Sequence, residues 1–209
     1  MAKVKICGLA NYNDALNATN LGADFLGFHF IKESPKKVSE KLIAGIVSKL
    51  PPFVTPVGVF LGQEENVIYK TVKKCGLKNI QFNGSETADF CKSVREKLGV
   101  KVFKYFKLEG DENALLKLQL YSEKVDYFVI DVSYVDVDTV KYNYELVSKA
   151  ADLKVPLFIS GNIKPEEVKE VLSSASPFGL DADTGIERLP KRKDYDKMNT
   201  FIRYAHGLK

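Results

Sequence analysis

Two side chains able to move protons stand directly after apolar runs of this chain. A thiol, Cys7, follows the run KVKI at residues 3–6, and a carboxylate, Asp131, follows FVI at residues 128–130. Thiols and carboxylates both serve as acids or bases in enzymes, so the pair indicates proton-transfer chemistry. The alternatives are a small buried residue at Cys7 and a helix-capping or loop carboxylate at Asp131.

Further polar groups and glycines follow the other apolar runs. They are His29, Lys36, Gln81, Asn83, Lys104, Gly161, Asn162, Asp181, Asp183, Thr184 and Gly185. His29 stands between two phenylalanines and is more simply a structural residue. The glycines at 161 and 185 let backbone N–H groups approach an anion, or serve tight strand-to-helix turns. No metal-ligand spacing, P-loop or dinucleotide fingerprint occurs, so neither metal nor cofactor is expected.

The elements that would position these groups alternate along the chain, roughly every 25 residues. Strands are predicted at 3–7, 25–30, 56–60, 79–82, 100–106, 127–131, 157–160 and 179–181. Helices are predicted at 12–20, 39–49, 64–74, 87–98, 114–121, 144–151, 165–174 and 194–204. Residues 132–143 form the longest irregular stretch.

The strand pattern predicts an α/β fold, a single (β/α)8 barrel over residues 1–209. Runs such as 127–130 are almost continuously apolar, which is typical of parallel strands covered by helices. Alternating strands and helices imply a parallel sheet. Eight repeats without a change of composition favour a closed barrel over an open doubly wound sheet, and 209 residues suffice for a compact barrel. Such barrels carry their sites at the carboxyl ends of the strands.

Composition excludes several other classes of protein. The net charge of +4 is spread over many segments, so nucleic-acid binding is not expected. No apolar run is long enough to span a membrane. Cys7, Cys75 and Cys91 form no C-x-x-C pair, and an odd number of cysteines indicates a reducing compartment. Residues 1–7 are predicted as a strand, which leaves no room for a signal segment and predicts a cytoplasmic protein.

Three motifs near the amino terminus resemble a known enzyme family. They are KICGL at 5–9, GADFLGF at 22–28 and SPKKVS at 34–39. Their order and spacing resemble the phosphoribosylanthranilate isomerase family of tryptophan biosynthesis, and the resemblance extends from Val4 to Ile202. It implies an Amadori rearrangement of N-(5′-phosphoribosyl)anthranilate to 1-(2-carboxyphenylamino)-1-deoxyribulose 5-phosphate. It also implies a small phosphosugar substrate, no cofactor, and a monomer or homodimer.

The resemblance also implies roles for individual residues. Cys7 would be the general base, with Lys5 or Lys104 favouring its thiolate. Asp131 would be the general acid, which must hold its proton near neutral pH. The substrate-binding residues implied are Lys36, Gln81, Asn83 and Lys104, and the phosphate-binding residues are Gly161, Asn162, Asp183, Thr184 and Gly185.

Four departures from the family pattern fall on the substrate side. Lys36 replaces an arginine expected to hold the anthranilate carboxylate, and Asn83 replaces a histidine. The loop at 133–144 lacks the family's glycines. Asp183 places a carboxylate where a phosphate is expected, so it would point away, bind through a water or cation, or mark a changed ligand.

Two histories fit these departures: a working divergent isomerase, or a paralogue that kept the barrel and lost or changed its phosphosugar ligand. A second class of function is a non-catalytic barrel that serves as a binding or structural subunit. Other phosphosugar barrels, such as ribulose-phosphate epimerases and indole-forming lyase subunits, resemble the chain in the phosphate turns. They lack the opening motif and the SPK loop.

Overall fold

In the computed structural model, described for residues 1–107, 113–132 and 144–208, eight parallel strands close into a barrel. The barrel strands are β1 Lys3–Ile6, β2 Phe25–His29, β3 Thr55–Phe60, β4 Asn79–Phe82, β5 Lys101–Lys107, β6 Tyr127–Asp131, β7 Leu157–Ser160 and β8 Gly179–Ala182. The helices are α1 Tyr12–Asn20, α2 Glu40–Val47, α3 Glu65–Cys75, α4 Ala88–Leu98, α5 Ala114–Tyr121, α6 Tyr144–Ala151, α7 Val168–Ala175 and α8 Tyr195–Ala205. Each strand pairs with the next in parallel, and β8 pairs with β1, which confirms the predicted barrel.

Local signals explain where the helices begin and end. The side chains of Asn11 and Ser39 accept hydrogen bonds from the first turns of α1 and α2. Gly76 and Gly99 adopt left-handed backbone angles after α3 and α4, which favours glycine at both positions. The last repeats differ more from the sequence-based bounds. A 3-10 turn at Pro165–Glu167 precedes α7, and a short antiparallel pair, β9 Glu187–Leu189 with β10 Arg192–Lys193, was not predicted.

The alternation of side chains along each strand decides which residues can reach the barrel mouth. Phe25, Val57, Phe103, Val129 and Phe158 pack together in a cluster separate from the larger core beneath the helices. Because side chains of a strand alternate between its two faces, residues two positions further along face the barrel axis as well. The inner cluster therefore forms a floor, and the next inward-facing residues surround the space above it.

The predicted irregular stretch 132–143 lies, apart from Val132, outside the described residues. Among the helices that the structure describes, none is both apolar and long enough to cross a lipid bilayer.

Candidate active site

A pocket of about 200 Å³ opens above the inner floor at the carboxyl ends of the strands. Its lining residues are Cys7, His29, Gln81, Asn83, Tyr105, Asp131, Ser160, Gly161, Asn162, Asp181, Asp183 and Thr184. Most of the predicted site residues are thus gathered in one place; Lys36, Lys104 and Gly185 are not among the lining residues. A larger cavity of about 430 Å³ lies outside the barrel beside α2 and α3, next to the ends of β2 and β3, and shares no lining residue with this pocket.

Cys7 is buried at the end of β1, between the barrel wall and the pocket. Its thiol packs with Ile31 and Val59, and a Cβ on Gly27 would lie only 2.6 Å from its Sγ. Gly27 thereby makes room for the sulfur. Burial raises the pKa of Cys7 to about 11, although the neighbouring positive charge of Lys5 opposes the shift. The thiol is therefore neutral near pH 7, and the charge of Lys5 favours the thiolate, as predicted, but does not outweigh the effect of burial.

His29 lies beside the thiol, at the end of β2. Its Nε2 is 3.5 Å from the Sγ of Cys7, and its Nδ1 is 3.0 Å from the Oγ of Ser34. Burial lowers the pKa of His29 to about 4, so the imidazole is neutral near pH 7. The strand's alternation could have revealed this placement, since His29 shares the inward parity of Phe25.

Asp131 accepts a short hydrogen bond at the end of β6. The hydroxyl of Tyr105 donates to its Oδ2 at 2.6 Å. Burial, together with the charge of Asp131, raises the pKa of Tyr105 well above its ordinary value, so the phenol keeps its proton. In the closed strand order β6 is three strands from β1, so Asp131 and Cys7 approach the pocket from different sides.

Asp183 is held by two lysines instead of projecting an unpaired charge. Its Oδ1 lies 2.6 Å from the Nζ of Lys36 and 2.7 Å from that of Lys193, and Glu187 contacts the same lysines at 3.0 and 3.2 Å. We refer to these four residues as the lysine–carboxylate cluster. Burial opposes ionisation of Asp183, but the ammonium groups outweigh it and hold its pKa well below the ordinary value. The carboxylate of Asp183 is thus neutralised by protein ammonium groups, and whether it reaches a phosphate through a water or cation stays a prediction.

Two of the departures from the family pattern, Lys36 and Asp183, contact each other. Lys36, which replaces an arginine, forms an ion pair with Asp183, which stands at the expected phosphate turn. The pair packs over Gly8, where an added Cβ would clash with the side chains of both residues and where φ is +66°. The ammonium group of Lys36 thus binds protein carboxylates, those of Asp183 and Glu187.

Lys104 requires a correction, because it lies on the wrong face of its strand. Phe103 and Tyr105 face the barrel axis, so Lys104 between them faces the helices. Its buried ammonium contacts the Gly84 carbonyl oxygen at 2.5 Å and Glu86 at 3.0 Å. Neither substrate binding nor activation of Cys7 fits this position.

The two glycine turns meet at the edge of the pocket. Gly161 has a φ of +128° and Asn162 one of +59°, and the Thr184 hydroxyl donates to the Asn162 side chain at 2.8 Å. A Cβ on Gly185 would clash with the Ile163 carbonyl, so this glycine permits close packing of the two turns. The arrangement offers backbone N–H groups to an anion, and the Thr184 hydroxyl can donate to an anion only by giving up its bond to Asn162. Gly185 shapes the turn.

Gln81 and Asn83 form a polar pair at the end of β4. The Gln81 amide donates to the Asn83 side chain at 2.9 Å. The Oε1 of Gln81 is buried and has no hydrogen-bond partner within the part of the chain that the structure describes. A buried acceptor without a partner is costly, and a hydroxyl or N–H group of a ligand would satisfy it.

A closed parallel barrel with acid–base groups and glycine turns at the strand ends defines a (β/α)8-barrel enzyme. The sequence pattern of the family described as N-(5′-phosphoribosyl)anthranilate (PRA) isomerase matches residues 4–204. The chain therefore belongs to the N-(5′-phosphoribosyl)anthranilate isomerase family, as its opening motifs predicted.

Individual relatives of the same name extend over essentially the whole chain. The isomerase of Geobacter sulfurreducens is 34% identical over 99% of this chain and 100% of its own length. That of Trichlorobacter lovleyi is 32% identical over 98% of both chains. The crystal structure of the Thermotoga maritima isomerase covers 100% of both chains with a TM-score of 0.90 and 30% identity. Another isomerase structure, in complex with reduced 1-(o-carboxyphenylamino)-1-deoxyribulose 5-phosphate, is 31% identical over 100% of both chains with a TM-score of 0.89.

Proposed function

We propose that this chain converts N-(5′-phosphoribosyl)anthranilate to 1-(2-carboxyphenylamino)-1-deoxyribulose 5-phosphate in tryptophan biosynthesis. The observation that carries the proposal is the position of Cys7 and Asp131 on different sides of one pocket, in a member of this family. An aldose-to-ketose rearrangement needs one group that gives a proton and one that takes a proton. We propose a cytoplasmic single-domain enzyme acting as a monomer or homodimer; one structural relative at 30% identity is described as a monomeric form of the dimeric Thermotoga maritima isomerase.

Asp131 would act first, as the general acid. Its proton passes to the ring oxygen of the ribose while the bond from that oxygen to C1′ breaks. The nitrogen lone pair forms the C1′=N bond, giving a protonated Schiff base. A carboxyl group donates only from its protonated form, so Asp131 must carry a proton when the substrate is bound. Tyr105, which donates to Oδ2, fixes the orientation of the carboxyl group.

Cys7 would act next, as the general base. After the thiol has released its own proton to solvent, the thiolate takes the proton from C2′, and the C–H electrons form the C1′=C2′ bond and neutralise the nitrogen. The enolamine becomes the ketone when the C2′ hydroxyl loses its proton and C1′ gains one. The positive Schiff base beside the thiol, together with Lys5, favours the thiolate, because an opposite charge lowers a thiol's pKa.

The remaining lining residues would bind and orient the substrate. Gln81 and Asn83 offer amide groups to its hydroxyls or to the anthranilate part, and the unpaired Oε1 of Gln81 supports this role. Gly161, Asn162 and Thr184 would contact the phosphate, with Gly185 shaping the turn. Lys36 would hold the anthranilate carboxylate only if its ammonium group bound that carboxylate together with Asp183, or in place of Asp183.

Replacement of Asp183 by serine is expected to lower KM for the phosphosugar with little change in kcat. The substitution removes one negative charge at the pocket and releases Lys36 and Lys193 toward the substrate anions. We expect a three- to tenfold decrease in KM, about 0.6–1.4 kcal/mol, from steady-state kinetics. The decrease should be larger above about pH 6, where the phosphate carries its second negative charge.

Glu187→Gln is the matched control for this prediction. It removes a negative charge from the same cluster, but Glu187 does not line the pocket. Asp183→Ser should therefore lower KM more than Glu187→Gln does, with thermal unfolding of both proteins measured to confirm folding. Weaker substrate binding in Asp183→Ser would mean that the carboxylate contacts the ligand or holds the turn.

Complementation tests the proposed function directly. The gene should restore growth without tryptophan to a strain that lacks only this isomerase step, and Cys7→Ala should not. Expression without growth, from a folded protein, would favour the paralogue with a changed ligand or the non-catalytic barrel.

A further inference from the structure

We propose that Cys7, His29 and Asp183 form a binding site for Zn²⁺, and that the bound ion blocks the pocket. One ligand atom from each residue lies within 4.8 Å of the other two. The Cys7 Sγ is 3.5 Å from the Nε2 of His29, and that nitrogen is 4.0 Å from the Oδ2 of Asp183. Around a tetrahedral Zn²⁺ such ligand atoms lie roughly 3.4–3.6 Å apart, so the separations, at most 4.8 Å, would have to shorten by up to about 1.2 Å to complete the site.

Neighbouring side chains orient two of the three ligands, His29 and Asp183, through contacts of the kind that surround metal ligands in proteins. The Nδ1 of His29 lies 3.0 Å from the Oγ of Ser34, and in the tautomer whose Nδ1–H donates to that oxygen, Nε2 keeps its lone pair for the ion. Lys36 and Lys193 both bind the Oδ1 of Asp183, which leaves Oδ2 for the ion. Such outer contacts orient ligands before the metal arrives.

The donor set and the local charge both suit Zn²⁺. A thiolate, an imidazole and a carboxylate are ligands of zinc, whereas Mg²⁺ and Ca²⁺ prefer oxygen alone. The ammonium groups of Lys5, Lys36 and Lys193 are matched by the carboxylates of Asp181, Asp183 and Glu187, so the surroundings carry no excess positive charge. On binding, the Cys7 proton leaves to solvent and the Sγ–Zn bond forms.

All three ligands line the pocket, which leaves a fourth coordination position facing it. The bound ion would be coordinated by the Sγ of Cys7, the atom that the proposed function assigns as the general base. Zinc and phosphosugar substrate would therefore exclude each other. Only this consequence rests on the proposed isomerase activity; binding of the ion does not.

Cobalt substitution tests the site without reference to turnover. Titration of the purified protein with Co²⁺ should give one equivalent bound, with a thiolate-to-cobalt charge-transfer absorption. Cys7→Ser and His29→Val should abolish that absorption, and Ser34→Ala should weaken the affinity by about 10–100-fold, as loss of an outer contact does. Cys75→Ser and His206→Gln are the matched controls, since they remove a thiol and the other histidine far from the pocket.

Competition completes the experiment. Zn²⁺ should displace the cobalt and inhibit turnover by raising the apparent KM, and a chelator should restore activity. The proposal is overturned if Co²⁺ binds without the charge-transfer absorption, if His29→Val binds as wild type does, or if His206→Gln alone abolishes binding. A wild-type protein that binds Co²⁺ as described but has no isomerase activity would overturn the proposed function and uphold the metal site.

Discussion

Cys7→Ala is expected to remove most of the isomerase activity while leaving the barrel folded. Loss of a positioned general base typically costs about 10²–10⁴-fold in rate. The fold should survive, because β1 is held by its backbone: the Cys7 N–H donates to the Ala182 carbonyl at 2.8 Å whatever the side chain. Steady-state kcat measures the loss of activity, and circular dichroism with thermal unfolding shows whether the barrel stays folded.

Cys75→Ala provides the matched control for the thiol. Cys75 is also buried, but it ends α3 and its thiol donates to the Glu40 carbonyl, outside the barrel mouth. This control should retain wild-type kcat, and Cys7→Ser should behave as Cys7→Ala does because a serine hydroxyl is a far weaker base than a thiolate. Wild-type turnover in Cys7→Ala would remove Cys7 from the mechanism.

Asp131→Asn is expected to lower kcat by about 10²–10⁴-fold with a smaller change in KM. Asparagine keeps the shape of the side chain and an oxygen that can accept the Tyr105 hydrogen bond, but it has no proton to transfer to the ring oxygen. An interaction made mainly in the transition state affects kcat more than substrate affinity. The measurement is a saturation curve for each protein at one pH.

Asp126→Asn is the matched control for the carboxylate. Asp126 lies at the opposite end of β6, where its Oδ2 accepts a hydrogen bond from the Val102 N–H at 2.8 Å. This variant should lower thermal stability and leave kcat near the wild-type value. Normal kcat in Asp131→Asn would place the proton donor elsewhere, and Asp136 or Asp138, outside the described residues, would then be tested.

The repeating pattern of strands and helices made the barrel predictable from sequence. Continuous apolar strands, caps such as Ser39 and left-handed glycines such as Gly76 are local signals, and they place most elements within a residue or two. The β9–β10 pair was missed because strands of two or three residues carry no period. Its position depends on tertiary contacts, such as the bond of Lys193 to Asp183.

The sequence predicted which residues gather at the pocket better than it predicted which of them contact one another. The placement of Cys7 and Asp131 at the pocket could be predicted because each directly follows an apolar run at the end of a strand. The Lys36–Asp183 pair joins residues 147 positions apart, so its two halves appeared as separate departures from the family pattern. The substrate-binding role predicted for Lys104 is wrong because the prediction did not consider that successive side chains of β5 face opposite sides of the sheet. The same alternation along β2 would have placed His29 on the inner face, where it meets Cys7.

Isomerisation by the purified protein tests the central claim most directly. N-(5′-phosphoribosyl)anthranilate with an isotopic label at C2′ would be added to wild type, Cys7→Ala and Asp131→Asn, and the C2′ signal followed by nuclear magnetic resonance. The predicted result is conversion of the alcohol carbon to a ketone carbon by the wild type, with both variants slower by about 10²–10⁴-fold. A ketone signal that forms no faster with the folded wild type than in buffer would contradict the account.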